Sequence, residues 1–285
     1  IAVEDEEGKI VGVTGTATNI TERKRAEQAL TASADKLRNH NLVLTQLAKN
    51  QVLYQGDLKA ALRNITEVAA KNIEVERVSI WLYDETRTQI QCLDLFEKSS
   101  NRHSDGGSLV AADYPSYFQA LEQDQPIVAT DAHTDSRTKE FSESYLTPLG
   151  ITAMLNTPVK LEGMTVGVLC LEHTGTTRDW TAEDQNFARS LSNLVSLALE
   201  ARERLRTFKA LRESEAKLAS AFRSSPDPIT LTTFPEIRYI EVNDSFCRFF
   251  GYSRSQVIDR NYRELNIWVN QEECTMLTQV LRHTK

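Results

Sequence analysis

The chain has 285 residues, 26% of them charged and 40% hydrophobic, with a formal net charge of -7. A single core rarely grows beyond about 250 to 300 residues, so this length points to more than one folding unit of ordinary globular composition. Acidic and basic residues are interleaved with no basic stripe, which argues against nucleic acid as a partner. The longest apolar runs, such as Val168 to Leu171, fall far short of the roughly 20 residues of a membrane helix, so no span is expected.

In chain order, Ile1 to Val3, the turn formers Asp5 to Gly8 and the β-rich run Ile10 to Thr18 read as a hairpin, and Asn19 or Thr21 then caps a helix. The chain opens inside a strand without a leader pattern, and so reads as a piece of a longer protein. From Leu30 the positions Leu30, Ala34, Leu37, Asn41, Leu44 and Ala48 step by four and three, the spacing of a heptad seam, and Asn41 would fix register in a two-chain pairing. The seam predicts a parallel dimer helix over 26–50, the alternative being leucines that pack on the neighbouring domain.

Asp57 to Lys71 is a second helical stretch. Arg77 to Tyr83 alternates Val78, Ile80 and Leu82 with Ser79, Trp81 and Tyr83, as a half-buried strand does. Gln89 to Glu97 is the next strand, and Ser99 to Gly107 reads as a polar, mobile loop. Tyr114 to Gln123 and Lys139 to Leu149 read as helices around a short strand, Ile127 to Ala129. Ala153 to Lys160 and Met164 to Leu171 form a hairpin about Glu162 and Gly163. Thr181 and Asp184 make a capping-box-like start to a helix with apolar positions Phe187, Leu191, Leu194, Ala198, Ala201, Leu205 and Phe208. The stripe continues as Leu211, Leu218 and Phe222, but Phe208 to Leu211 is a step of three where four is due, so it changes phase there. The expected fold class is α+β, an antiparallel sheet with helices joined by long coiled-coil-type helices.

The stretch GKIVGVTGTATNITERKRAEQAL resembles the end of a PAS domain of the PAC type, with Asn19 where that signature has Asp. RVSIWLYD and GVLCLEHTGTTRDWTAEDQNFARSL resemble GAF domains of bacterial sensors. SSPDPITL and IRYIEVNDSFCRFFGYSRSQVIDR are similar to the first half of a second PAS domain. The resemblance implies a PAS end over 1–25, a signalling helix over 26–50, a GAF domain over 42–200, a second signalling helix over 181–222 and a partial PAS domain over 222–285. It implies the input half of a cytoplasmic two-component sensor, of the histidine kinase or diguanylate cyclase type.

The GAF resemblance implies a small-molecule pocket between the sheet and the segments crossing one face, with Trp81, Tyr114, Phe118, Phe141, Tyr145 and Leu155 as its candidate lining. The same residues can equally fill a core. The dimer or signalling positions are Leu30, Leu37, Asn41, Leu44, Leu191, Leu194, Leu205, Phe208 and Leu211. TKEFSESYL supplies Lys139 and Phe141 but not the rest of a cyclic-nucleotide motif, and His103 and His133 have no cysteine neighbour for covalent bilin. Arg260, Asn261, Tyr262 and Arg263 resemble the LOV flavin motif, but Tyr262 stands where the reactive Cys is required. His283 is the segment's only histidine, so a haem ligand is not expected.

Cys92, Cys170, Cys247 and Cys274 form no C-x-x-C pair, which leaves no zinc or disulfide framework and assigns Cys170 to packing. His173, Arg178 and Trp180 read as local packing. No phosphoacceptor helix, Gly-rich ATP loop or GGDEF string is present, so no enzyme activity is expected from this sequence. The expectation is therefore a dimeric module that senses a small molecule or relays conformational signals. The alternative is a ligand-free GAF domain acting as a dimerisation spacer between PAS sensors.

Overall fold

The computed structural model describes residues 2–4, 6–13, 19–234, 236–265, 267 and 276. The expected strand residues 14–18, Cys274 and His283 lie outside them. The chain divides into two compact units, Ile1–Leu205 and Arg206–Lys285.

In the first unit, strands β1 (Ala2–Glu4) and β2 (Ile10–Val13) pair antiparallel. Helix α1 (Thr21–Lys49) follows, its start held by Asn19 Oδ1, which accepts from the Thr21 N–H at 3.0 Å. Helix α2 (Leu58–Ile73) is capped by Asp57, whose side chain accepts from Ala60 N at 3.1 Å. The main sheet contains β3 (Arg77–Tyr83), β4 (Gln89–Glu97), β5 (Arg102–Ser104), β6 (Ser108–Val110), β7 (Ile127–Ala129), β8 (Ile151–Leu161) and β9 (Met164–Thr174). Its order is β5-β4-β3-β9-β8-β7, with β6 also on β4. The β8–β9 turn places Glu162 and Gly163 at φ 51° and 84°, the left-handed pair that a two-residue hairpin needs.

The expected mobile loop at 99–107 is instead partly strand. β5 pairs with the edge of β4, and His103 packs its ring on Phe96 at 4.8 Å while bonding Asp94 at 3.0 Å. Apolar periodicity missed this because the contacts are polar and fall on a three-residue strand.

Side chains alternate across the strands and supply a core on each face of the sheet. On one face Val78, Ile80, Leu155, Leu169 and Leu171 pack against α2, Leu47 of α1 and Phe187, Leu191 and Val195 of helix α5 (Ala182–Ser224). α5 starts as the capping-box spacing predicts: Thr181 Oγ1 accepts from Asp184 N, and Asp184 Oδ2 accepts from Thr181 N, both at 3.3 Å. On the other face lie helix α3 (Pro115–Glu122) and a crossing stretch. That stretch is a 3-10 turn Lys139–Phe141, a π-helical turn Ser142–Leu146 and a short α4 (Thr147–Leu149), ending at Gly150 with φ 65°.

The second unit carries strands β10 (Thr230–Thr232) and β11 (Tyr239–Val242) and helices α6 (Asp244–Phe250), α7 (Arg254–Val257) and α8 (Tyr262–Leu265). Its core is Tyr239, Val242, Phe246, Val257, Tyr262 and Leu265. Asn243 is fully buried. It caps α6 through Phe246 N at 2.9 Å, accepts from Ile229 N at 3.0 Å and donates to Asp227 O at 2.8 Å. One amide thus satisfies three backbone groups that a core would otherwise leave unpaired.

Candidate functional site

The face of the sheet under the crossing stretch carries the candidate site. Arg77, Ser79 and Trp81 alternate along β3, Cys170 and Glu172 along β9, and Met154 and Asn156 along β8. α3 brings Tyr117 and Phe118, and the crossing stretch brings Phe141 and Tyr145. Phe141 stacks on Tyr114 at 4.3 Å and meets Tyr117 edge-on at 4.9 Å. Five of the six sequence-selected pocket residues, Trp81, Tyr114, Phe118, Phe141 and Tyr145, therefore share this cluster. Leu155 does not. Its neighbours Met154 and Asn156 face the site, so strand alternation turns Leu155 into the helical core on the opposite face.

The packing is close. The space left between the side chains is about 10 Å³, lined by Trp81, Ile90, Leu109, Tyr117, Phe141, Tyr145, Met154, Cys170 and Glu172. That is room for about one water. The aromatics themselves fill the space between the sheet and the crossing stretch.

Polar groups at the site were not legible in the sequence. Arg77 Nε donates to Glu172 Oε2 at 3.0 Å, and Tyr145 Oη donates to Glu172 Oε1 at 2.9 Å. Arg77 Nη1 reaches Glu97 at 2.5 Å, and Arg102 on the surface pairs with the other Glu97 oxygen at 2.8 Å. A line of alternating charge thus runs from solvent to a carboxylate that is 2% exposed. Burial raises the Glu172 pKa, outweighing the opposing pull of Arg77 and Tyr145. Burial works to lower that of Arg77, but Glu172 and Tyr145 win and hold the guanidinium firmly protonated. Burial pushes the Cys92 thiol up to about 12 and Cys170 higher still, so neither is a nucleophile near neutrality.

Asn156 donates to Tyr117 Oη at 3.2 Å, while its Oδ1 has no hydrogen-bond partner although the residue is fully buried. His133, in the loop before the crossing stretch, bonds Ser142 through Nδ1 and donates from Nε2 to Ile151 O at 3.0 Å, which pins that stretch to the start of β8. Among the described residues no three His, Cys, Asp or Glu side chains gather as a metal site. His173, Arg178 and Trp180 lie beside the helical core. Arg178 donates to Ile73 O at 2.8 Å and sits over the Trp180 ring at 4.7 Å.

The dimer or signalling residues divide in two. Leu30, Leu37 and Asn41 on α1 are exposed, as are Phe208 and Leu211 on α5. Leu191 is instead completely buried in the domain's own core, with Phe187 and Ala198, and is not free to face a partner. Leu44 and Leu194 are half-buried against the same core. Leu205 is half-buried over Gly56, where a Cβ would come within 2.5 Å of Leu205 Cδ1. The seam read upstream of Phe208 is therefore mostly domain core, because a helix covering a sheet and a coiled coil share the same apolar spacing.

An antiparallel sheet carries helices on one face and crossing segments packed over the other. The GAF domain family profile matches residues 57–199, half of the chain, and the chain belongs to that family. A PAS domain profile matches residues 216–282, making this a GAF-PAS sensory region built from domains that are regulatory, not catalytic. Among solved structures, the phycoerythrobilin-bound GAF domain from a cyanobacterial phytochrome is similar at TM-score 0.50 and 15% identity, covering 59% of this chain and 98% of that one. The GAF domain of a Coxiella burnetii phosphoenolpyruvate-protein phosphotransferase gives TM-score 0.47 and 16% identity over 59% and 97%. A methyl-accepting chemotaxis protein, residues 122 to 287, gives 0.47 and 17% over 57% and 98%. No curated protein gives a match. No described helix is long and apolar enough to cross a membrane.

Proposed function

We propose that this chain is a relay in which α1 delivers a conformational signal to the GAF domain, and α5 carries it through the PAS segment to a separate output. The observation that carries the reading is that α1 and α5 pack on the same core and are bonded directly to each other. Ser33 Oγ donates to Glu183 at 2.5 Å, and Lys36 pairs with Asp184 at 3.0 Å. Movement of one helix is thereby felt by the other without passing through the nearly filled cavity. The setting is a cytoplasmic PAS-GAF-PAS arrangement of the histidine kinase or diguanylate cyclase type. The β1–β2 hairpin feeding α1 is what the end of a first PAS domain requires.

The relay works as a parallel homodimer. Leu30, Leu211 and Leu218 are 73%, 56% and 69% exposed, and fully burying a leucine is worth about 1.5–3 kcal/mol. Sedimentation at tens of micromolar is expected to give a dimer that Leu30→Glu/Leu37→Glu dissociates. A monomeric native chain would overturn the reading.

A second reading, small-molecule sensing, is favoured by the buried Asn156 Oδ1 that lacks a partner beside Tyr117. It requires the crossing stretch to open and a donor to enter. A visible absorbance band in the purified protein, or a thermal shift on adding an aromatic N–H donor such as adenine, would favour it over the relay. A ligand-free domain serving as a dimerisation spacer is the third arrangement. There the dimer persists but no signal depends on the bonds between α1 and α5.

A further inference from the structure

His40 lies on α1 one turn beyond Lys36 and is only 3% exposed. Its ring lies flat on Phe187 of α5, with centroids 4.0 Å apart and planes at 16°. Neither ring nitrogen reaches a partner in full hydrogen-bond geometry, and the backbone group acting on the ring is that of Asn72 at the end of α2. A buried imidazole is ordinarily anchored firmly through at least one nitrogen, so a ring held this loosely at the contact between the two helices calls for an explanation. The groups around it are three charged side chains, Lys36 on its own helix and Glu183 and Asp184 in the first turn of α5, and the polar Asn72 backbone at the C-terminal end of α2. Asp184 is committed to Lys36, to Thr181 and, at 3.6 Å, to Arg178.

We infer that His40 is a proton-sensing site, and that acidification releases α1 from α5. The neutral ring fits the apolar stack. A protonated ring needs water or an anion. To take Asp184 it must compete with Lys36, whose ammonium pairs with Asp184 Oδ1 across the joint, and to reach water it must leave Phe187. Either route opens the joint.

The direction of linkage agrees. Burial, then Lys36, lower the His40 pKa from 6.5, against smaller opposing contributions from Asp184, the Asn72 backbone and Glu183. The undocked ring thus binds the proton more tightly than the docked one. Docking is at full strength above about pH 6.5 and is lost as pH falls toward the lower value of the buried ring, by up to about tenfold per pH unit within that window. Glu183 does not supply this titration, because the Ser33 hydroxyl foremost holds its carboxyl down at about 2.

The inference adds an input to the relay reading and is tested at the joint itself, so it can fail while the dimer stands. The experiment is amide hydrogen exchange over residues 33–47 of the full chain from pH 5 to 8, corrected for intrinsic rates, alongside the NMR titration of the His40 ring. The native protein is expected to titrate below 6.5 and to lose protection in α1 over the same range. His40→Phe keeps the stack without the titration and should give flat protection, with His40→Leu as a second non-titrating variant. His173→Gln, removing the other histidine with a lowered pKa, should leave the loss in place. Native protection that is flat with pH, or an undiminished pH response in both His40 variants, overturns the proposal. If neither variant folds, a native His40 titrating at or above 6.5 with no change in α1 overturns it alone.

Discussion

Replacing Arg77 by Met removes the guanidinium that faces Glu172 at 3.0 Å and leaves the carboxylate with Tyr145 Oη as its one remaining donor among the described residues. Glu172 is 2% exposed, and breaking a buried pair by removing one partner costs about 3–5 kcal/mol. Glu172→Gln should cost less, about 1–3 kcal/mol, because Arg77 keeps Glu97 and the amide still meets Tyr145. The double variant Arg77→Met/Glu172→Met leaves no unpaired charge at Glu172 and should be more stable than Arg77→Met alone. Urea unfolding followed by the fluorescence of Trp81 and Trp180 measures all three. The penalty of Arg77→Met should also depend on pH. The Glu172 pKa is already raised by burial, and losing Arg77 raises it further. The folded state of the variant then prefers the neutral acid, so the penalty is smallest below the ordinary carboxylate value and grows as pH rises past it. Costs that add in the double variant, or a penalty unchanged between pH 5 and 8, would refute the view that these two charges act as a pair.

Gly167→Ala is expected to destabilise the GAF domain by about 1–3 kcal/mol, or roughly 2–9 °C in Tm, because the new Cβ falls 2.1 Å from the Trp81 carbonyl oxygen and 2.6 Å from Leu82 Cδ2. A native melting curve would mean that β3 and β9 separate more easily than their packing implies. Iodoacetamide at pH 8 should leave Cys92 and Cys170 unlabelled in the folded chain and label both in urea, since burial raises both thiols. Rapid native labelling of Cys170, read by mass spectrometry, would show the site to be open and reactive.

Where one face of an element is apolar and the other is not, the sequence was readable. RVSIWLYD alternates, and Val78 and Ile80 go to one core while Trp81 goes to the other. β8 is buried on both faces, so period two carries no label for which face is which, and Leu155 lies on the face opposite the candidate site. Arg77 and Glu172 stand 95 residues apart near strand ends, where charge reads as exposure, and only the β3–β9 register brings them opposite each other. Leu191 shows a third kind of loss. Its spacing marks an apolar stripe, but spacing does not say whether a sheet or a second helix covers it.

α1 joins these points. The leucine seam Leu30, Ala34, Leu37, Asn41 and the docked row Ser33, Lys36, His40 differ by one residue, or about 100° around the helix. The docked row is polar through its first two turns, so hydrophobic periodicity passes over it and selects the exposed seam instead. Because the two rows lie on adjacent faces, α1 can hold its own domain and a partner helix at once, and neither contact must be broken to form the other. On the proposed relay, a ring inserted in the docked row would change what the seam transmits without being part of the seam. Under the proposal, release at His40 would free α1 to turn or separate from Phe187, while Val43, Leu44 and Leu47 keep its last turns on the core. The moving part is thereby confined to the first turns of the joint, next to the helix start on α5 that Thr181 and Asp184 form.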